Sequence, residues 1–262
     1  MTLTFAVTAV VVLALIVGTF AVALRRERYD LIDIAWGLGF AAVALVTFVR
    51  STGDPAMRVL VTALTAAWGV RLAIHIGLRA RVSGEDRRYA DMRRRSGPAR
   101  MFVRVYLVQA VLLWVVSLPV QVAQYGEAPH PALIVAGVAV WLVGFVFEAV
   151  GDAQLRRFRA DPRNRGRVLD RGLWRYTRHP NYFGDACVWW GLYLLACHSW
   201  PAAATIVAPI VMTALLARGS GKPITERHLA RSRPDYADYV ARTSGFVPLP
   251  PRRPATRKDS QP

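Results

Sequence analysis

The sequence predicts an all-α integral membrane protein of seven transmembrane helices, N-terminus out and C-terminus in, with short cytosolic amphipathic helices. Three observations carry this. Of 262 residues 54% are hydrophobic and the mean hydropathy is +0.27, although the formal net charge is +17. The apolar residues gather into runs of about 20, the length that crosses a bilayer. The basic residues crowd connections on one side of those runs, which sets the orientation. In a soluble chain such a charge would point to nucleic acid. Here topology and contact with anionic lipid account for much of it, and no nucleic-acid partner is expected.

Taken in order, the spans fall at about 2–24, 31–49, 57–78, 101–123, 131–151, 183–199 and 201–217. The first has no positive leading region and no Ala-x-Ala-like site before its charged end, so it reads as a retained helix rather than a cleaved signal. The last two are short and joined by His198-Ser199-Trp200-Pro201, which makes them a hairpin. Lys and Arg concentrate in 25–28, 79–104, 156–178 and 218–258, and are absent from 121–132 and 198–201. Arg50 and Arg58 fall on the nominal outside, balanced by Asp54. Cys187 and Cys197 share the sixth span about 15 Å apart along its axis, too far to bridge, and no zinc-like spacing exists.

Residues 1–248 therefore read as one membrane domain and 249–262 as a disordered tail. Two cytosolic connections are long enough to carry function. In the first, Ser83-Gly84-Glu85-Asp86 has the Ser-x-x-Asp capping pattern and should start a short helix through Tyr89 and Met92. The second is 156–182. After the last span, Ile224 to Arg242 places Leu229, Tyr236, Tyr239 and Val240 at its apolar positions, with Pro234 suited to a first helical turn. It reads either as an interfacial helix with a tyrosine belt or as a lid over a site.

Ionisable groups in or beside spans are costly and mark candidate sites. Asp30 and Asp33 open the second span, with Trp36 after them. Arg71 and His75 lie one turn apart on the third. Glu148, Asp152, Arg156 and Arg159 form a ladder along the end of the fifth. One reading pairs its carboxylates with its arginines. The other lets Glu148 and Asp152 accept hydrogen bonds from ribose hydroxyls or an amide while the guanidinium groups hold phosphates. Pro180 pushes His179 out of the α region, so a helix should begin at Pro180. Its first free N–H groups, with Arg178 beside them, make an anion site, to which Asn181 and Tyr182 add hydrogen bonds or stacking.

Asp33-Ile34-Ala35-Trp36-Gly37-Leu38-Gly39, Gly69-Val70-Arg71-Leu72, Glu85 through Tyr89 and Leu118-Pro119 form the first part of a wider pattern. It continues through Phe147 to Leu155, Gly172 to Asp185, Trp189-Trp190-Gly191, Glu226 to Leu229, Arg233 to Tyr236 and Tyr239 to Pro248. On these residues the chain is identified as a member of the DUF1295 group of steroid 5-alpha-reductase-like membrane proteins. The resemblance covers nearly the whole length.

It implies a seven-helix reductase that takes hydride from NADPH and saturates an activated C=C bond in a lipid of steroid, isoprenoid or acyl type. The cofactor part would be about 131–248. Asp152, Arg156 and Arg159 match the acidic and basic positions after the fifth helix, and Asn181 and Asp185 match an Asn-x-x-Gly-Glu-like element. His228, Tyr236 and Tyr239 lie in a segment that departs from the steroid reductases. That segment, with Glu226 and the Arg178-His179-Pro180-x-Tyr182 element, is also similar to isoprenylcysteine and phospholipid methyltransferases, which implies S-adenosylmethionine as the alternative cofactor.

The reductase reading needs a proton donor near the substrate carbonyl. Tyr89 with Glu85, four apart on one helix face, is the first choice and His75 the second, with Asp33 and Trp36 as substrate-binding residues. A non-catalytic lipid-binding membrane protein is the third reading. The expected setting is a bacterial-type inner membrane with the cofactor site facing the cytoplasm, a lipid-like substrate and no obligate protein partner.

Overall fold

The computed structural model describes residues 1–219 and 221–252. Of the expected disordered tail, 253–262 lies outside the described residues. Among the described residues there is no β-strand, and the chain is helical as expected. Among the described residues, six helical stretches are long and apolar enough to cross a membrane: Thr2–Arg26, Leu31–Arg50, Pro55–Val82, Pro98–Val116, Pro131–Ala160 and Trp200–Ser232. The remaining expected span, 183–199, corresponds to the helix Pro180–Ala196. Its 17 residues put it at the short end of spanning lengths.

Several boundaries differ from expectation for local reasons. The third helix continues to Ser83, where Gly84 at φ 72° ends it. The short cytosolic helix is Arg87–Arg95, and its cap is Asp86, whose carboxylate accepts from the Arg88 N–H at 2.9 Å, rather than Ser83. The expected 101–123 span is broken at Ser117 into Pro98–Val116 and Leu118–Val122. Pro119 lacks an N–H and its ring crowds the preceding turn, so an unbroken ladder cannot pass it. Within the longer piece, Phe102–Leu107 widens to i→i+5 hydrogen bonding. The fifth helix runs on to Ala160 rather than ending near 151.

The chain forms two compact units. The first comprises 1–138 and 192–209. In it the second and third helices pack backbone to backbone, because a Cβ on Gly37 or Gly69 would lie 2.3 Å from the other glycine's carbonyl oxygen. Buried polar side chains satisfy one another: the Thr8 hydroxyl donates to Gln121 at 2.7 Å, and the Gln121 amide donates to Ser117 at 2.9 Å. At the charged end, the Asp30 carboxylate binds Arg28 at 2.8 Å and the Asp86 N–H at 3.3 Å. Glu85 accepts the Tyr29 N–H at 2.9 Å and pairs with Arg93 at 3.2 Å. These contacts tie the 84–93 segment to the turn between the first two helices.

The second unit comprises 139–191 and the described residues from 210 to 252. Its helices Pro131–Ala160 and Pro180–Ala196 meet at Gly144 and Gly184, where a Cβ on either would come within 2.5 Å of the other's carbonyl. The connection between them folds back on Pro131–Ala160: the Trp174 indole donates to Gly151 O at 3.1 Å, and the Leu173 N–H donates to Gln154 at 3.0 Å. The C-terminal segment then lies along 176–178. Arg178 N donates to Ser244 O at 2.9 Å, Leu249 N donates to Tyr176 O at 3.0 Å, and the Thr177 hydroxyl donates to Phe246 O at 2.8 Å.

Candidate functional site

In the first unit, Tyr89 is buried at 6% exposure, and its hydroxyl donates to Asp33 Oδ1 at 2.6 Å. The Gln109 amide approaches the same hydroxyl at 3.4 Å, and Arg88 lies 3.9 Å from the other Asp33 oxygen. Asp33 sits in the first turn of its helix, and Tyr89 in the first turn of the Arg87–Arg95 helix. Burial, together with the Asp33 carboxylate, pushes the Tyr89 phenol well above its ordinary value. It therefore stays protonated across the physiological range.

This corrects the expected Tyr89–Glu85 pairing. Glu85 precedes the helix rather than sharing a face with Tyr89, because the cap is Asp86, and its carboxylate is used on Tyr29 and Arg93. Asp33, expected to touch substrate, accepts the hydroxyl of the proton-donor candidate. Trp36 packs edge-on against Phe40 at 5.2 Å, and His75 is half-buried on the third helix. Gln109 was not singled out by the sequence. Only the fold brings it to Tyr89, two residues beyond the widened stretch of its helix.

In the second unit, Glu148 and Asp152 are buried at 3% and 6% exposure on one face of the fifth helix. Asn181 Nδ2 donates to Asp152 Oδ1 at 3.3 Å. Its carbonyl, Asn181 Oδ1, is buried without a hydrogen-bond partner among the described residues. Asp185 follows one turn later. Arg156 and Arg159 are exposed beyond Asp152. As expected, the helix begins at Pro180 directly after His179.

Arg178 does not stand free at the helix mouth. It donates to Glu226 Oε1 at 2.8 Å and to the carbonyls of Thr243 and Val240 at 2.6 and 3.3 Å. The His179 ring, 2% exposed, meets the same Glu226 oxygen through Nε2 at 3.1 Å and stacks face to face on Tyr182 at 5.1 Å. Burial lowers the His179 pKa despite Glu226, so the ring is neutral near pH 7 and its Nε2–H is the donor. The Tyr182 hydroxyl lies 3.3 Å from Thr225 Oγ1.

Tyr236 and Tyr239 face inward, at 3% and 2% exposure. An interfacial belt would leave them at the surface, so the segment is packed against its own unit. The Tyr239 hydroxyl donates to Trp174 O at 2.5 Å. The Tyr236 hydroxyl is buried without a well-formed hydrogen bond beside Arg178 and Glu226, and burial pushes it up to about 12. His228 points to the exposed side of Lys222–Ser232. Pro234 stands before the cap Asp235 rather than within the first turn.

Comparison with known proteins bears on this arrangement. The family described as "Protein of unknown function (DUF1295)" matches residues 19–243. The chain belongs to the DUF1295 family. Its similarity to steroid 5-alpha-reductase-like proteins is borne out by two curated relatives, the 3-oxo-5-alpha-steroid 4-dehydrogenase 1 of Rattus norvegicus and that of Mus musculus. Each is 33% identical over 100 residues, which is 37% of this DUF1295 chain and 37% or 38% of the relative's own length. No solved structure matches this chain.

Proposed function

We propose that this DUF1295 protein is a membrane-embedded, NADPH-dependent reductase of a C=C bond conjugated to a carbonyl in a lipid-like substrate. The observation that carries the reading is the Asp33–Tyr89 pair, a half-buried acid and a buried phenol joined at 2.6 Å beside the Gln109 amide. Reduction at the β-carbon of an enone moves negative charge onto the carbonyl oxygen, where a preorganised donor stabilises it. Tyr89, held neutral, supplies that donor. Protonation of Asp33 turns the shared hydrogen around, so that Asp33 donates to the phenol and Tyr89 directs its own O–H to the substrate oxygen. The names of the two curated relatives, 3-oxo-5-alpha-steroid 4-dehydrogenases, support an enone of steroid type.

The second unit fits a nicotinamide cofactor on its own chemistry. Asn181 has a buried carbonyl lacking a donor while its N–H2 is fixed on Asp152, so it suits an amide or ribose hydroxyl that donates. Glu148, Asp152 and Asp185 would accept from hydroxyls, and the exposed Arg156 and Arg159 would hold phosphates. NADPH, when bound, supplies the hydride. Arg178 is assigned instead to organising the site, since Glu226 and two backbone carbonyls already occupy its guanidinium. By the distribution of Lys and Arg, these residues face the cytoplasm of a plasma membrane. The Pro180–Ala196 helix is assigned as the sixth of the seven spans.

The methyltransferase alternative rests on Glu226, His179 and Arg178 forming one cluster, the element shared with S-adenosylmethionine enzymes. Thermal melting of purified protein with each cofactor separates the two readings, because a ligand that binds the native state raises the midpoint. Stabilisation by NADPH supports the reductase. Stabilisation by S-adenosylmethionine without NADPH would overturn it.

A further inference from the structure

A cavity of about 360 Å³ lies within the second unit at the end of the fifth helix, lined by Gln154, Arg157, Phe158, Asp161, Asn164 and Arg171, with Gly172 at its edge. Along the helix, Gln154, Arg157 and Phe158 follow one stripe, and Asp161 lies just past its end. Glu148, Asp152, Arg156 and Arg159 follow another, about half a turn away. The cavity is thus separate from the face that carries the Asp152–Asn181 pair.

Its chemistry is specific. Neither Arg157 nor Arg171 forms an ion pair or a side-chain hydrogen bond among the described residues. Asp161, the acidic lining residue, is already neutralised by Arg163, which donates to both of its oxygens at 2.9 to 3.2 Å. With Arg163 at the rim set against Asp161, Arg157 and Arg171 leave a local charge of about +2, which matches a phosphomonoester near neutral pH; Arg171 also acts electrostatically on Asp161. The Arg171 guanidinium lies over the Phe158 ring at 5.9 Å, which limits where it can swing. Gln154 accepts the Leu173 N–H through Oε1, leaving its N–H2 able to donate; Asn164 gives one of its two amide hydrogens to Phe158 O, leaving the other able to donate.

Gly172 keeps this arrangement open. Its φ of +63° favours glycine, and a Cβ there would lie 2.4 Å from the Gln154 amide nitrogen.

From this geometry we infer a second anion site, for a phosphomonoester group, formed by Arg157 and Arg171 with Gln154 and Asn164 as its neutral hydrogen-bonding groups. The group can come from a soluble phosphate or from phosphatidic acid in the bilayer. The inference does not depend on the reductase reading, and its test uses no NADPH.

The full chain is reconstituted in phosphatidylcholine nanodiscs and its melting midpoint is followed in two arms. One arm adds inorganic phosphate at constant ionic strength against chloride. The other replaces part of the lipid with phosphatidic acid, or with the same fraction of phosphatidylglycerol, a diester. Stabilisation by phosphate, or by phosphatidic acid beyond phosphatidylglycerol, identifies the source. The Arg157→Gln, Arg171→Gln double variant should then weaken the response about tenfold in apparent affinity, while Arg25→Gln, an exposed arginine of the first unit, should retain it. No stabilisation in either arm, equal effects of the two anionic lipids without a phosphate response, or a double variant that responds like the parent would overturn the site.

Discussion

Buried Tyr89 donates its phenolic hydrogen to half-buried Asp33 across 56 positions of sequence, at 2.6 Å. A carboxylate that close both orients the phenol and raises the cost of ionising it. Asp33→Asn keeps the shape but removes the proton exchange. It should lower enone-dependent oxidation of NADPH about 100-fold and leave the thermal stabilisation by NADPH unchanged. Equal loss of cofactor binding would place Asp33 in the other role.

Asn181 presents a buried carbonyl with no donor to satisfy it. Asn181→Ala removes that acceptor and the donor to Asp152, and should weaken NADPH about tenfold, the value of one or two hydrogen bonds. The concentration dependence of the melting midpoint measures this directly. Stability without ligand should change little, because one buried orphan disappears along with the bond.

His179 gives a pH dependence whose sign is fixed. Its folded pKa lies below the ordinary 6.5. The unfolded chain therefore takes up the proton first as the pH falls. The stability contributed by the neutral buried ring is complete above about pH 6.5 and declines as the pH drops below that value. His179→Gln should flatten this limb in melting curves recorded between pH 5 and 8. An unchanged slope would show that another group carries it.

Gly184 and Gly144 let two helices touch through their backbones. Gly184→Ala would place a methyl 2.5 Å from Gly144 O and must part the helices. The expected cost is about 1–3 kcal/mol, read as a lower midpoint with ordinary helical content. Gly18, whose Cβ would meet nothing within 4 Å, is the control: Gly18→Ala should be neutral or slightly stabilising.

The helical spans were legible because about 20 consecutive apolar residues have few alternatives, and the helix start at Pro180 was legible because Pro fixes its own φ and restricts His179. Helix ends were less so. Arg79 to Ser83 and Ala153 to Ala160 extend helices past the apolar run, since the backbone ladder continues wherever nothing stops it. The acidic and amide residues Asp152 and Asn181 could be chosen individually by the cost of placing them beside a bilayer. Their pairing, and that of Asp33 with Tyr89, required tertiary structure. Glu85 misled because a regular helix was assumed through a segment where Gly84 and the Asp86 cap interrupt it. Arg178 looked free because Glu226 is 48 residues away.

The most direct test is single-turnover reduction of a 4-en-3-one steroid by the full-length protein in detergent, comparing the parent with Tyr89→Phe at saturating NADPH. The account predicts that the parent oxidises NADPH and saturates the C=C bond. Tyr89→Phe should bind NADPH equally well and turn over at about one hundredth of the rate or less. A Tyr89→Phe protein that reduces the enone at the parent rate would contradict the assignment of the Asp33–Tyr89 pair.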